Sequence, residues 1–183
     1  MKYLFSALRV FIVLTILTGI VYPVAMTLFS ESLLTKKAEG SLIVINGKIV
    51  GSSLLAQKTT DPKYFWPRPS AGDYATVASG ASNQGILSKS LADAVASRRE
   101  ALGNETNIPA DLLYASGSGL DPHISPEAAR FQIARVAVAR HFDATQVEKL
   151  TMLVGAKIEG PQFGILGDPR VNVLELNLAL DQL

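Results

Sequence analysis

Residues 10–29 read VFIVLTILTGIVYPVAMTLF, 20 positions without a charge. At ~1.5 Å per residue, a helix of that length crosses a hydrocarbon layer of ~30 Å. No other stretch of the 183 residues approaches it. Thr15, Thr18 and Thr27 can return their hydroxyls to carbonyls of their own helix. Gly19 and Pro23 are tolerated where neighbouring helices satisfy freed backbone groups, and a residue as small as Gly19 lets a second helix approach closely. The competing reading is a cleaved signal peptide. The run exceeds the ~7–15 apolar residues of such a peptide and no A-x-A site follows, so an uncleaved transmembrane anchor is expected over residues 10–29.

The flanks give the anchor a direction. Lys2, Arg9 and the amino terminus precede it without an acid, whereas Glu31 and Glu39 offset Lys36 and Lys37 after it. The basic excess places residues 1–9 in the cytoplasm and 30–183 outside, in the periplasm if the source is a bacterium. About 150 residues beyond the anchor suffice for one domain with its own core. Without Lys2 and Arg9, 15 of the 17 Lys and Arg remain against 16 Asp and Glu, which leaves no electrostatic footprint for nucleic acid. With no cysteine, a thiolate metal site, a disulfide framework and a Cys nucleophile are all excluded.

Turn chemistry and periodicity predict an α/β (α+β) domain. SLIVINGKIV (41–50) is a hairpin about Asn46-Gly47, a dipeptide suited to positive φ at both turn positions; GSSLLAQ (51–57) continues it. From 60 to 84, Pro62, Pro67 and Pro69 forbid a continuous helix or central strand. Tyr64, Phe65, Trp66 and Tyr74 are concentrated there. These rings form either the private core of a compact loop or, with Arg68, a protein-binding surface. SKSLADAVASRREAL (88–102) reads as a helix capped at Ser88 or Ser90 and stopped by Gly103. DLLYASGSGLDPHIS (111–125) suggests a short strand entering a Gly/Ser loop. Ser125, Pro126 and Glu127 then open a helix to about residue 142. Its Phe131, Ala134 and Val138 share one side, and Ala129, Ile133 and Val136 nearly the other, so a sandwiched helix is expected. Arg130, Arg135 and Arg140 point three ways, in structural or rim pairs. Asp143-x-x-Gln146 resembles a capping box before a helix over 144–154, with Val147, Leu150 and Val154 inward. Residues 155–169 are turn-rich, VNVLELN (171–177) reads as a strand, and LALDQL as a short helical end.

Catalytic signatures are sparse. Gly47-Lys48 lacks the rest of a phosphate loop. In SGSG (116–119) the first residue is Ser116 where a nucleophile elbow needs Gly, so Ser118 fails that motif. His123 and His141 fall in no metal-ligand spacing. Asp121 beside His123 is the one pairing suited to acid–base work. Its simpler reading is that Asp121, His123 and Ser125 tie a Gly-rich loop by local hydrogen bonds.

Several segments together resemble one family. They are TGIVYP (18–23), GSSLLAQ (51–57), YFWPRPSA (64–71), SGASN (79–83), DLLYASGSGLDPHISPEAA (111–129) and GDPRVNVLELN (167–177). In this order they resemble the C subunit of the bacterial and archaeal Kdp ATP-driven potassium transport system. The departures are Ala56 and Ala81, where Gly is expected, and Gln84, where an apolar residue is common. The resemblance implies a single-span inner-membrane subunit, non-catalytic, that assembles and stabilises its complex and is proposed to raise the ATPase subunit's affinity for ATP as a catalytic chaperone. The implied partners are a channel-like, potassium-binding A subunit, a P-type ATPase B subunit and a small F peptide. ATP and K+ are handled by those partners, with no cofactor bound by this chain. The expected partner interface is Gly19, Tyr22, Pro23, Tyr64, Phe65, Trp66 and Arg68. The family-motif loop is Ser116, Gly117, Ser118, Gly119, Asp121 and His123, and Gln57, Ser82 and Asn83 are the positions to inspect for direct nucleotide contact. The alternatives are a free-standing anchored enzyme or a solute-binding module using the Asp121–His123 loop.

Overall fold

The computed structural model describes residues 2–183; the first residue of the expected 1–9 flank lies outside them. The chain divides into two compact units, Met1–Leu42 and Ile43–Leu183.

The first unit is dominated by a helix over Tyr3–Leu33, none of it buried. It comprises α1 (Lys2–Ile16), a π-helical turn (Leu17–Val21) and α2 (Tyr22–Leu33). Its 31 residues span about 45 Å, more than the apolar run requires. The wide turn has a local cause. Pro23 has no N–H, and in an α-helix its ring would press on the carbonyl of Gly19, four residues back. The chain instead widens just before it, and the Tyr22 N–H reaches the Leu17 carbonyl, five back. Thr18 returns its hydroxyl to the Leu14 carbonyl at 2.7 Å. A short turn of helix, α3 (Thr35–Ala38), follows.

The second unit mixes helices with two small antiparallel sheets. Strands β1 (Leu42–Ile45) and β2 (Lys48–Ser52) form the first. Asn46 and Gly47 both take positive φ, 51° and 75°, as the primed turn requires. A long irregular stretch leads to α4 (Lys89–Ala101), after which Gly103 takes φ +86°. The helical turn α5 (Ala110–Leu113) then precedes β3 (His123–Ile124), α6 (Pro126–Arg140), α7 (Ala144–Ala156), β4 (Ile158–Glu159), β5 (Arg170–Asn172) and α8 (Val173–Leu180). The second sheet has the order β3-β5-β4, with β5 central. The core gathers Phe65, Ile124, Val136, Leu150, Val154, Val171, Leu176 and Leu180 between α6, α7, α8 and this sheet.

Two predicted side-chain caps are present, whereas Ser88 stands at the start of α4 without capping it, its hydroxyl pairing with that of Ser90 at 2.7 Å instead. Ser125 Oγ accepts from the Ala128 N–H at 3.1 Å, and Asp143 and Gln146 close a reciprocal capping box at 2.8 and 2.9 Å. Three further expectations are corrected. Residues 110–113 form a helical turn, not a strand, because Pro109 starts it and Leu112 and Leu113, adjacent in sequence, are both buried. A strand alternates its faces and buries only one of such a pair. VNVLELN splits: its first two residues end β5, and the rest is α8. The Asn172 side chain caps that helix by accepting from the Glu175 N–H, and Val173, Leu176, Asn177 and Leu180 share its buried face. Finally, α6 is not sandwiched. Val138 is 76% exposed and Ala134 is also exposed, while Gln132 is buried instead.

Candidate functional site

The aromatic segment is seated on two helices by side-chain amides. Asn177 of α8 accepts from the Phe65 N–H at 2.8 Å and donates Nδ2 to the Phe65 carbonyl at 2.9 Å. Gln132 of α6 does the same for Trp66, at 2.8 and 3.1 Å. Two consecutive residues of an irregular chain thus have both backbone groups paired, as a strand would have them. Two arginines complete the clamp. Arg135 donates to the carbonyls of Pro62 (2.8 Å) and Tyr64 (3.1 Å) and to Gln132 Oε1 (2.6 Å), with its guanidinium 3.9 Å from the centre of the Trp66 ring. Arg140 donates to the Lys63 carbonyl (2.9 Å) and to Asp181 (2.6 Å), 4.9 Å from the Tyr64 ring. Burial disfavours the charge on Arg135 and pulls its pKa down; these carbonyls and the indole face offset that cost. Tyr64 is shifted up, by burial first and then by its hydrogen bond to Asp181.

This arrangement takes Phe65 out of both sequence readings of the rings. Phe65 is fully buried in the domain core, so it belongs neither to a private loop core nor to an exposed interface. Tyr64 and Trp66 are half-buried under guanidinium groups and keep one edge outward.

A cleft of about 520 Å³ lies beside this segment, lined by Arg68, Asp111, Asp121, His123, Ser125 and Arg170 among others. Arg68 Nη1 is 3.2 Å from Asp121 Oδ2, and its Nε is 3.9 Å from Asp111. Asp121 Oδ1 accepts from the His123 N–H at 3.0 Å and lies 3.5 Å from His123 Nδ1. Asp111 accepts from the Ser125 N–H at 2.8 Å. The Asp121–His123–Ser125 loop is therefore tied by local hydrogen bonds, and Asp121 is further engaged by a cation. Upstream, the Ser116 N–H bonds the Pro69 carbonyl at 3.1 Å and Ser118 Oγ accepts from the Leu120 N–H at 3.1 Å. Gly117 is exposed. Gly119, at φ +69°, has a structural duty: a Cβ there would stand 2.9 Å from the Gly80 carbonyl and 3.2 Å from Ser70 Oγ. The loops over 79–83 and 116–119 thus meet backbone to backbone. Tyr74 bonds the Arg68 carbonyl at 2.9 Å, and burial, with help from Asp73, pushes its hydroxyl up to about 12.

The nucleotide candidates lie apart from this cleft's lining. Gln57 donates Nε2 to the Val50 carbonyl at 3.0 Å and lies across Gly51. The volume beside it is about 20 Å³, room for one water rather than a nucleotide-sized ligand. Ser82 and Asn83 are exposed, with Asn83 at φ +51°. Gly19, Tyr22 and Pro23 sit at or beside the π-helical turn, all exposed, and a Cβ at Gly19 would meet nothing within 4 Å. Nothing in its own chain requires that glycine.

Gln132, Arg135, Arg140, Asn177 and Asp111 organise the site without having been singled out for it. A signal existed for two of them. Gln132 and Asn177 are amides standing in the buried phase of otherwise apolar helical faces, where a polar group needs a partner.

Comparison with known proteins covers nearly the whole chain. The family model described as "KdpC: K+-transporting ATPase, c chain" matches residues 4–182. Similar proteins include the potassium-transporting ATPase KdpC subunit of Dechloromonas aromatica (strain RCB), 52% identical over 183 residues, with 96% of this chain and 94% of the relative covered. The KdpC subunit of Methylococcus capsulatus is 50% identical, covering 97% and 96%. That of Leptospira interrogans is 47% identical, covering 96% and 91%.

Proposed function

Because the chain belongs to the KdpC family of K+-transporting ATPase c chains, we propose that it is the complex's accessory, non-catalytic subunit. It assembles and stabilises a channel-like, potassium-binding A subunit and a P-type ATPase B subunit, together with a small F peptide. The observation that carries this reading is the helix Tyr3–Leu33. It is apolar, long enough to span a bilayer, buried nowhere in its own chain, and bears an open notch at Gly19 beside a π-helical turn. Small residues at such positions let helices approach closely in a membrane. The anchor runs from a cytoplasmic amino terminus, and residues 30–183 lie outside. A domain so placed does not touch cytoplasmic ATP, so any rise in the ATPase chain's ATP affinity acts through coupling between subunits.

Weighing against the enzyme reading, Asp121 is already paired with Arg68 and accepts from the His123 backbone, and the Ser125 hydroxyl caps α6. The test is purification from native membranes in mild detergent through a C-terminal tag, comparing the natural chain with Gly19→Leu. The natural chain should bring down a P-type ATPase and a polytopic potassium subunit. Gly19→Leu should lose them severalfold while its thermal unfolding stays unchanged. Recovery of the natural chain alone, from membranes where both partners are intact, would refute the accessory role. Since the chain has no cysteine, a single Ser82→Cys variant reports topology: an impermeant maleimide should label it from outside in intact cells.

A further inference from the structure

Residues 160–167, GPQFGILG, form an uncharged finger between β4 and β5. Its base is fixed by the pairing of Glu159 with Arg170, whose Nε donates to Glu159 Oε2 at 3.0 Å. Within it, Gln162 and Leu166 exchange both backbone bonds, at 2.8 and 2.9 Å. The Gly164 N–H reaches the Pro161 carbonyl at 3.0 Å, and the Ile165 N–H reaches Gln162 at 3.2 Å. The tip is therefore a closed, self-bonded turn rather than a slack loop. It requires φ +55° at Phe163 and +78° at Gly164. Glycine adopts that region freely, whereas a bulky residue such as phenylalanine is an outlier there. Burial does not compensate. Phe163 is 91% exposed, Ile165 82% and Leu166 57%.

We infer that this finger is a docking knob that inserts into an apolar, uncharged cleft on another chain of the ATPase, a cleft with a basic rim that meets Asp168. The inference rests on the accessory-subunit reading. Three observations point to a protein partner. The knob is preformed, so little ordering entropy is lost when it is received. Its leading side chain is an aromatic, a residue type enriched at interfaces. The third is charge. The finger carries no Trp, Tyr, Lys or Arg, the residues that settle loops at a lipid interface. At its base Glu159 and Arg170 offset each other, leaving the Asp168 carboxylate, which anionic headgroups repel. A second copy fits no better, because finger on finger would oppose two convex knobs and two Asp168 carboxylates.

The test places the photoreactive residue p-benzoylphenylalanine at position 163 of the full, tagged chain, expressed with the other ATPase chains in native membranes. The expected result is a light-dependent adduct joining this chain to another chain of the ATPase, identified by mass spectrometry. In parallel, Phe163→Ser with Ile165→Ser should lower recovery of the partners about tenfold in a stringent wash, with the thermal midpoint unchanged because both side chains are exposed. If the chain co-purifies with its partners but its adducts go only to lipid, to a second copy or nowhere, the knob is refuted and the accessory role stands. If the natural chain recovers no partner, the accessory reading fails and the knob falls with it.

Discussion

Replacing Gln132 by leucine asks whether a side-chain amide holds the aromatic segment on the domain. The two residues are similar in size and in helix propensity, so α6 itself is little affected. What is lost is specific. The Trp66 N–H and carbonyl lose their partners at 2.8 and 3.1 Å, and Arg135 loses its acceptor at 2.6 Å. Each buried polar group left unpaired costs ~1–3 kcal/mol, and the added apolar burial of leucine returns ~1 kcal/mol. The net expectation is a loss of about 2–4 kcal/mol. Against a domain stability of ~5–15 kcal/mol, the variant still folds but melts roughly 10 °C lower.

Trp66 is the only tryptophan and lies against Arg135, so its fluorescence reports this segment in urea unfolding of the full chain in mild detergent. Asn177→Leu should behave alike, through the backbone of Phe65. The double variant should lose less than the sum, because the first substitution already frees the strip that the second would release. If Gln132→Leu unfolds within ~0.5 kcal/mol of the natural chain, with unchanged Trp66 emission, the amide is not what seats the segment.

Gly51→Ala should cost less than ~1 kcal/mol, because the new Cβ would meet only the movable end of the Gln57 side chain and stand 2.9 Å from Leu174 Cδ2. Gln57 must then swing off the Val50 carbonyl, and adding Gln57→Ala should recover part of the loss, which thermal melts of the single and double variants compare. For Tyr74, burial first and Asp73 second raise the folded pKa to about 12 from 10.0, with Arg98 opposing. A folded value above the unfolded one means that this contribution is whole below pH ~10 and is lost as pH climbs toward ~12. Tyr74→Phe should therefore flatten the alkaline fall in stability across that window, and an unchanged slope in a pH series of denaturant melts would overturn the assignment.

Much of the local structure was legible because its causes are local. Asn46-Gly47, the Ser125-Pro126-Glu127 start and the Asp143–Gln146 box each specify a turn or cap within four residues, and each is present. The misreadings share one origin. In VNVLELN, alternation imitated a strand, while the decisive facts were the Asn172 cap and a buried set spaced 173, 176, 177, 180. In α6, counting only apolar residues put Val138 inside and left out Gln132. An amide in the apolar phase of a helix signals a buried partner without naming it, and the partners of Gln132 and Asn177 lie 66 and 112 residues away. The clamp by Arg135 and Arg140 was hidden likewise. Five residues apart on a helix they diverge, yet both reach one strip of backbone carbonyls, at residues 62–64.

These long-range amide and guanidinium contacts explain how a domain with strands of two to five residues holds so much irregular chain in place. A sheet pairs backbone with backbone and leaves its loops at the margins, where they are mobile. Here the irregular segment runs through the core: Phe65 is a central core residue, and the bonds a neighbouring strand would make come from helices instead. The loops leaving that segment inherit its fixed position. Arg68 meets Asp121, Ser116 bonds Pro69, and Gly119 abuts Gly80, so separate family-motif segments pack against one another. In the accessory role proposed above, this is the relevant kind of rigidity, since binding free energy is lost whenever a docking surface must first be ordered.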